Sequence, residues 1–395
     1  MVSEVQELGG FEQHLACLRQ QVALRAQLDE HGLVGFIANG SILPRASGVS
    51  GRPMEQAVPF QSPPTLEVEL PGADSPVRGL GIPRGVTVIV GGGFHGKSTV
   101  LSALRHGHFD HIPGDGREGV VSLSQTVSCR AEDGRAVHGV DLSAFLGELP
   151  GGHDTRRFVT EDASGSTSQA AGIMEAVECG ARVLLMDEDS CATNLMVSDE
   201  RMQAVIRQEP IIPLLSRVRG LYESWGISSI FVIGGIADYL GVADTVIAMD
   251  RFLPSDAGQA AKGMAIEVQQ RPLDAPPAPR TWRRSRGPAR VRGLPGAMLL
   301  DKRRIELGAT GPLVSESHSR SVGHAIRFAC EELVLRDLPI PTVLDAMDAI
   351  LDDEGVDVLS PWDTPDGRLV RPRREDLAAA LNRWRSAPID RAETD

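Results

Sequence analysis

The sequence predicts an α/β fold built on a largely parallel sheet, followed by a mostly helical C-terminal domain. Three observations predict it. Short β-rich runs alternate with helical segments from Leu66 to about Met249. A glycine-rich turn joins the apolar run 86–90 to a helical pattern carried by Thr99, Val100, Leu101, Ala103 and Leu104. Past residue 319 the periodicity becomes helical, as in 324–329 and 378–384. A chain of 395 residues has room for two or three such domains.

Each element can be read in order. Residues 10–31 place Phe11, Leu15, Leu18, Val22 and Leu28 at helical spacing and close on Gly32, so an amphipathic helix opens the chain. That helix has no core of its own nearby. Residues 44–64 contain Pro44, Gly48, Gly51, Pro53, Pro59, Pro63 and Pro64 and read as a connector. The core is expected over 60–252, with β-rich runs at 66–70, 86–90, 120–123, 183–186, 230–233 and 246–249. Residues 253–295 are rich in Pro, Ala, Gly and Arg and read as an exposed linker. Residues 296–390 form the expected helical domain. No internal repeat is visible.

Composition narrows the function classes. The net charge of −13 argues against wholesale coating of nucleic acid but leaves room for a local basic patch. Cys17, Cys129, Cys179, Cys191 and Cys330 are odd in number, scattered and never spaced C-x-x-C, so neither a disulfide framework nor a zinc site is signalled. A reducing cytoplasm fits that usage. No secretory leader and no apolar run near 18 residues occurs, so a soluble protein is expected. His106, His108 and His111 do not match a metal-ligand spacing and read as solvated loop histidines.

The glycine-rich turn carries chemistry. Gly91-Gly92-Gly93-Phe94-His95-Gly96-Lys97-Ser98 is G-x-x-x-x-G-K-S between a strand and a helix, the pattern of a phosphate-cradling P-loop. Its glycines let backbone N–H groups curl around a phosphate chain, and the helix N-terminus faces the same anion. Residues Gly91 to Thr99 would hold the phosphates, with Lys97 reaching the terminal ones and Ser98 ligating Mg²⁺. His95 is expected to serve through its backbone. Lysine is scarce, at Lys97, Lys262 and Lys302 alone.

A second motif follows. Residues 182–189, RVLLMDED, form an apolar run ending in three acids. A carboxylate there, Asp187, would hold Mg²⁺ through water, and Glu188 would polarise an attacking water. Between the two motifs, Ser166-x-x-Gln169 reads as a capping box opening a helix that runs to Gly180, with Ser164 and Gly165 just before it as a second anion-binding backbone.

Ser164 lies 23 residues before Asp187, close to the separation of a Ser-Gly signature from a Walker B aspartate. With the P-loop, the Asp-Glu pair and 190–194 (SCATN) at the place of a D-loop, the chain resembles an ABC ATPase. More narrowly, 81–97, 111–118 (HIPGDGRE), 160–169 (TEDASGSTSQ), 187–189 and 242–247 (VADTVI) are similar to the family of predicted soluble ATPases of the ABC class, and 359–362 and 379–383 resemble its C-terminal domain. The resemblance implies ATP and Mg²⁺ as ligands, hydrolysis to ADP and phosphate, and a head-to-tail homodimer in which Ser164, Gly165 and Ser166 meet the nucleotide of the other subunit. It also implies a Q-loop, for which Gln125 after run 120–123 is the candidate, and a substantial N-terminal domain, of which residues 1–45 would be a helical remnant. Gly234-Gly235 stand where a transporter ATPase has its switch histidine. Transport is disfavoured.

Two other functions compete. A P-loop kinase of a small acceptor would share the loop but has no need of the Ser-Gly cap. A nucleotide-gated clamp on RNA or single-stranded nucleic acid, turning over slowly or not at all, is suggested by Arg280, Arg283, Arg284, Arg286, Arg290 and Arg292, extended by Lys302, Arg303 and Arg304.

Overall fold

The computed structural model describes residues 2–48, 50–198, 209–308, 315–362 and 364–391. The chain divides into two compact units. One comprises 1–126, 182–188 and 221–270; the other comprises 127–181, 189–220 and 271–395.

The first unit holds two sheets. In one, Thr245–Asp250, Val86–Gly91, Ser228–Val232 and Val183–Asp187 lie side by side and parallel, in that order, and Leu253–Asp256 closes one edge antiparallel. At the other edge the chain enters Thr126–Ser128, where it passes into the second unit. Val86–Gly91, Val183–Asp187 and Ser228–Val232 are mostly apolar and buried over most of their length, as strands covered on both faces should be. The other sheet is antiparallel, in the order Glu67–Leu70, Val77–Pro83, Leu33–Ala38, Val120–Ser122. Runs 66–70 and 120–123 therefore leave the parallel sheet in which they were expected.

The helix Lys97–His106 joins the sheets into one core. Its Val100, Leu101, Ala103 and Leu104 pack with Phe36, Leu80 and Ile82 of the antiparallel sheet and with Ile89, Leu185 and Ile230 of the parallel one. The approach is close: a Cβ at Gly35 would lie 2.9 Å from Leu104 Cδ2.

The N-terminal reading needs correction. Residues 1–45 are no separate helical remnant, because Leu33–Ala38 is an inner strand of the antiparallel sheet and is buried at every position. The opening helix, Val2–Gln27, buries Gln21 and Leu24 near its end, with Leu28 just beyond, and leaves Phe11 (59%), Leu18 (39%) and Val22 (52%) exposed. It is anchored by polar contacts at its end, Arg25 Nη1 donating to Asp110 Oδ1 at 3.2 Å and Gln21 Nε2 to the His111 carbonyl at 2.9 Å.

The second unit contains the paired strands Arg135–Val140 and Phe158–Ala163 and the helix Gly165–Glu178. Its later part has the antiparallel meander Val291–Leu294, Ala297–Leu300, Arg303–Glu306 and the helices Glu316–Phe328, Ile340–Asp353 and Arg374–Arg383. Trp282, Met298, Ile305, Val322, Ile326, Leu344 and Leu381 share one core.

The linker reading of 253–295 is also corrected. The segment supplies the edge strand Leu253–Asp256 and the helix Gly258–Met264 to the first unit, and Arg280–Trp282 and Val291–Leu294 to the second. Composition misleads here because its arginines and prolines alternate with anchors such as the fully buried Trp282.

Candidate functional site

The loop after Val86–Gly91 is shaped by backbone that few residues adopt. Gly91 has φ 145° and Gly96 φ 96°, both in the region glycine alone enters without cost. A Cβ at Gly91 would stand 2.5 Å from the Met249 carbonyl oxygen, and one at Gly96 would stand 2.7 Å from the Phe252 ring. Phe94 takes φ 63° without being glycine, and its side chain is fully exposed. The turn beneath the loop is tied to it: Phe252 N–H donates to the His95 carbonyl at 3.0 Å, and His95 Nδ1 lies 2.8 Å from Asp250 Oδ1. His95 thus supports the loop from below with its ring as well as its backbone.

Gly96 precedes the helix Lys97–His106, and no side chain caps that end. Its first-turn N–H groups are left for an anion in front of the loop. Lys97 Nζ donates to the carbonyls of Gly91 at 2.6 Å and Gly92 at 2.9 Å, which holds the ammonium across the loop. Ser98 is exposed and Thr99 half-buried in the same turn. Gly92 and Gly93 are exposed at the crest.

Asp187 ends Val183–Asp187, paired in register with Val232, which in turn pairs with Ile89 of the P-loop strand. The acid and the loop therefore leave the same end of the sheet, two strand spacings or roughly 10 Å apart. A hydroxyl from Ser98 and a carboxylate from Asp187 are the hard oxygen donors that Mg²⁺ takes, so these residues fit that ion.

Glu188 is held in a way that spacing alone did not reveal. Its Oε2 accepts from the N–H groups of Gly234 at 2.7 Å, Gly235 at 2.9 Å and Ile236 at 3.5 Å. The absent histidine was visible in the sequence; that the Gly-Gly amides grip Glu188 was not.

Gln125 lies at the edge of the parallel sheet, where its carbonyl accepts from Arg182 N at 2.9 Å and Val183 N at 3.3 Å. Its backbone thus fixes the start of the acid-bearing strand.

In the second unit Ser164, not Ser166, is the residue before the helix Gly165–Glu178. The capping box does not form. Ser166 is buried in the first turn, and Gln169 Oε1 instead accepts from Ala192 N–H at 2.7 Å. A fully buried amide must find a partner, and the segment after Glu188 supplies one. Ser164 is exposed, its Oγ donating to Thr167 Oγ1 at 3.1 Å and lying 3.4 Å from Ser166 Oγ. A Cβ at Gly165 would stand 3.2 Å from Asp133 Oδ1, so the backbone is tightly approached there.

The three clustered histidines are structural rather than solvated. Burial pushes His106 down to about 4, and its Nδ1 lies 2.7 Å from the Ser102 carbonyl. His111 Nδ1 lies 2.6 Å from Asp115 Oδ2. Among the described residues no group of three or more His, Cys, Asp or Glu is placed to hold a metal ion, and no helix is long and apolar enough to cross a membrane.

A strand, a glycine loop, a helix bearing Lys-Ser and a neighbouring strand ending in Asp-Glu define a P-loop nucleotide-binding domain of ATPase type. The chain belongs to the family described as ABC_ATPase, P-loop domain, whose pattern matches residues 8–284. Residues 290–390 match the MRB1590 C-terminal domain. A curated relative, the uncharacterized protein MJ1628 of Methanocaldococcus jannaschii, is 36% identical over 190 residues; the match covers 45% of this chain and 42% of the relative. Among solved structures, the ADP conformation of MJ1267, an ATP-binding cassette of an ABC transporter, aligns with TM-score 0.34 and 11% identity over 58% of this chain and 94% of that one.

Proposed function

We propose that this protein binds ATP with Mg²⁺ and hydrolyses it to ADP and phosphate, as a cytoplasmic ATPase that is not a transporter. The observation that carries the reading is the pairing of an uncapped helix end behind the P-loop with an oriented carboxylate at Glu188. Backbone N–H groups of Gly92 to Thr99 take the phosphate oxygens. Lys97 exchanges the Gly91 and Gly92 carbonyls for the terminal phosphates. Ser98 and Asp187 hold Mg²⁺, which when bound neutralises charge on the phosphate oxygens. Oε2 of Glu188 is taken by the amides, so Oε1 orients the water and receives its proton. Ser164, Gly165 and Ser166 serve the nucleotide of a second copy in a head-to-tail dimer.

The test is phosphate release from ATP, with and without Mg²⁺, by wild type, Lys97→Ala and Glu188→Gln. Mg²⁺-dependent release that both substitutions suppress supports the reading. Release that survives Glu188→Gln unchanged overturns the assignment of the base.

One observation favours a second activity on nucleic acid. Arg292, Leu299 and Arg304 are register partners across the meander, with both arginines exposed, and Lys302 and Arg303 stand at the adjoining turn. This basic face joins the exposed Arg284, Arg286 and Arg290 of the 280–292 run as the proposed contact; Arg280 is buried, and Arg283 and Arg304 each pair with an acid, Asp390 and Glu306. Phosphate contacts there would give single-strand binding that weakens with salt by about −0.7 per phosphate in log–log slope. Anisotropy with Arg292→Ala/Arg304→Ala, expected to flatten that slope, tests it.

A further inference from the structure

The two glycines at 234–235 occupy the end of Ser228–Val232, the strand that separates the P-loop strand from the Walker B strand. All three amide bonds to Glu188 fall on one oxygen, Oε2. The space around the other oxygen is limited from one side: a Cβ at Gly235 would stand 3.1 Å from Oε1, whereas one at Gly234 would stand 4.0 Å from Oε2, an ordinary contact. Neither glycine has a positive φ. Glycine is therefore not required at 235 by its backbone angles. The nearest atom a side chain there would meet is Oε1 of Glu188, which would have to give by a few tenths of an ångström.

We propose that Gly235, with Gly234, is a positioning element for hydrolysis. The 234–236 amides clamp Oε2, and the bare Cα of Gly235 leaves Oε1 the volume in which water is held. This deepens the hydrolytic reading and rests on it. The clamp does through backbone what a side chain at this turn would do through an imidazole: it fixes a polar group beside the nucleotide site. It differs in its target, since it orients the base. A methyl group at 235 presses on Oε1 and turns the carboxylate about the clamp by a few tenths of an ångström, away from the position in which it holds water. Binding of ATP, carried by Gly91 to Thr99, is not touched by that movement.

The experiment measures kcat, KM and ATP affinity for Gly234→Ala, Gly235→Ala and Gly235→Val, each also combined with Glu188→Gln. Because positioned general-base help is worth about 10² to 10⁴, Gly235→Ala should lower kcat by about tenfold or more. Gly235→Val should lower it further and Gly234→Ala less, with KM and ATP affinity near wild type in all three. On the Glu188→Gln background the same changes should cost little, since the group they displace is gone. Unaltered ATP affinity of each variant confirms that it is folded. Wild-type kcat in Gly235→Ala, or a loss that repeats in full on Glu188→Gln, overturns the positioning role while leaving hydrolysis intact. A wild type without turnover overturns the hydrolytic reading, and the positioning role with it.

Discussion

Arg280 and Glu178 form a buried ion pair, with Nη2 2.5 Å from Oε2 and the Arg280 backbone N–H donating to Oε1 at 2.6 Å. The guanidinium also donates to Asn382 Oδ1 at 2.7 Å and to the His138 carbonyl at 2.9 Å. Arg280 is only 3% exposed. An arginine in a segment that reads as an exposed linker thus ties the end of the helix Gly165–Glu178 to the helix Arg374–Arg383, in which Asn382 lies.

Removing one partner of this pair should be costly. Arg280→Met leaves Glu178 without its guanidinium partner, keeping only the backbone N–H of residue 280, and breaking a buried pair costs about 3–5 kcal/mol. The double variant Arg280→Met/Glu178→Gln should recover much of that loss. Denaturant midpoints of the two variants check it; a wild-type midpoint for Arg280→Met would show the pair to be unimportant.

Lys97→Ala should abolish tight Mg-ATP binding without unfolding the protein. No other lysine stands in the loop or its helix, the remaining two being Lys262 and Lys302. The two carbonyls it contacts belong to exposed or half-exposed glycines that water can serve. Titration calorimetry with Mg-ATP gives the answer, and unchanged affinity would remove the P-loop assignment.

Glu188→Gln should still bind ATP but turn over more slowly by about 10² or more, the usual loss of general-base help. The trapped complex is then expected to dimerise through Ser164 and Gly165. Light scattering should report a dimer with ATP and a monomer without it. A monomer under both conditions, in wild type as well, would count against the composite site.

Glu375 makes the second unit pH-sensitive in an unusual direction. Burial pushes its carboxyl up to about 7, with Arg373 opposing only in part. An acid whose folded pKa lies above its unfolded value of 4.5 binds more protons when folded. Its contribution is therefore fully present below about 4.5 and is lost as pH rises towards about 7. Glu375→Gln should raise thermal stability at pH 8 relative to wild type and flatten the slope between pH 5 and 7. Melting curves across that range decide it; parallel profiles for the two proteins would refute it.

The sequence by itself determined the P-loop pattern and the class of the fold. G-x-x-x-x-G-K-S after an apolar run, and an apolar run ending in Asp-Glu, are local patterns whose chemistry is set by neighbours along the chain. Gly91, Gly96, Lys97, Ser98 and Asp187 could be placed because a strand, a tight turn and a helix start each leave a short signature. The helical character of the C-terminal part was legible for the same reason, since periodicity is local.

Only the tertiary structure decided what depends on residues distant in sequence. The strand Leu33–Ala38 gains its place by pairing with 77–83 and 120–122, which no helical pattern upstream announces. Gln169 abandons its cap for Ala192, Arg280 finds Glu178, and Glu188 is gripped by amides 46 and 47 residues away. In each case a buried or half-buried polar group must be satisfied, and the partner that satisfies it is selected by the fold rather than by spacing. Composition marked 253–295 as a linker because it counts prolines and arginines. The structure counts instead where Trp282 and Arg280 are buried, and burial is a property of the packed chain.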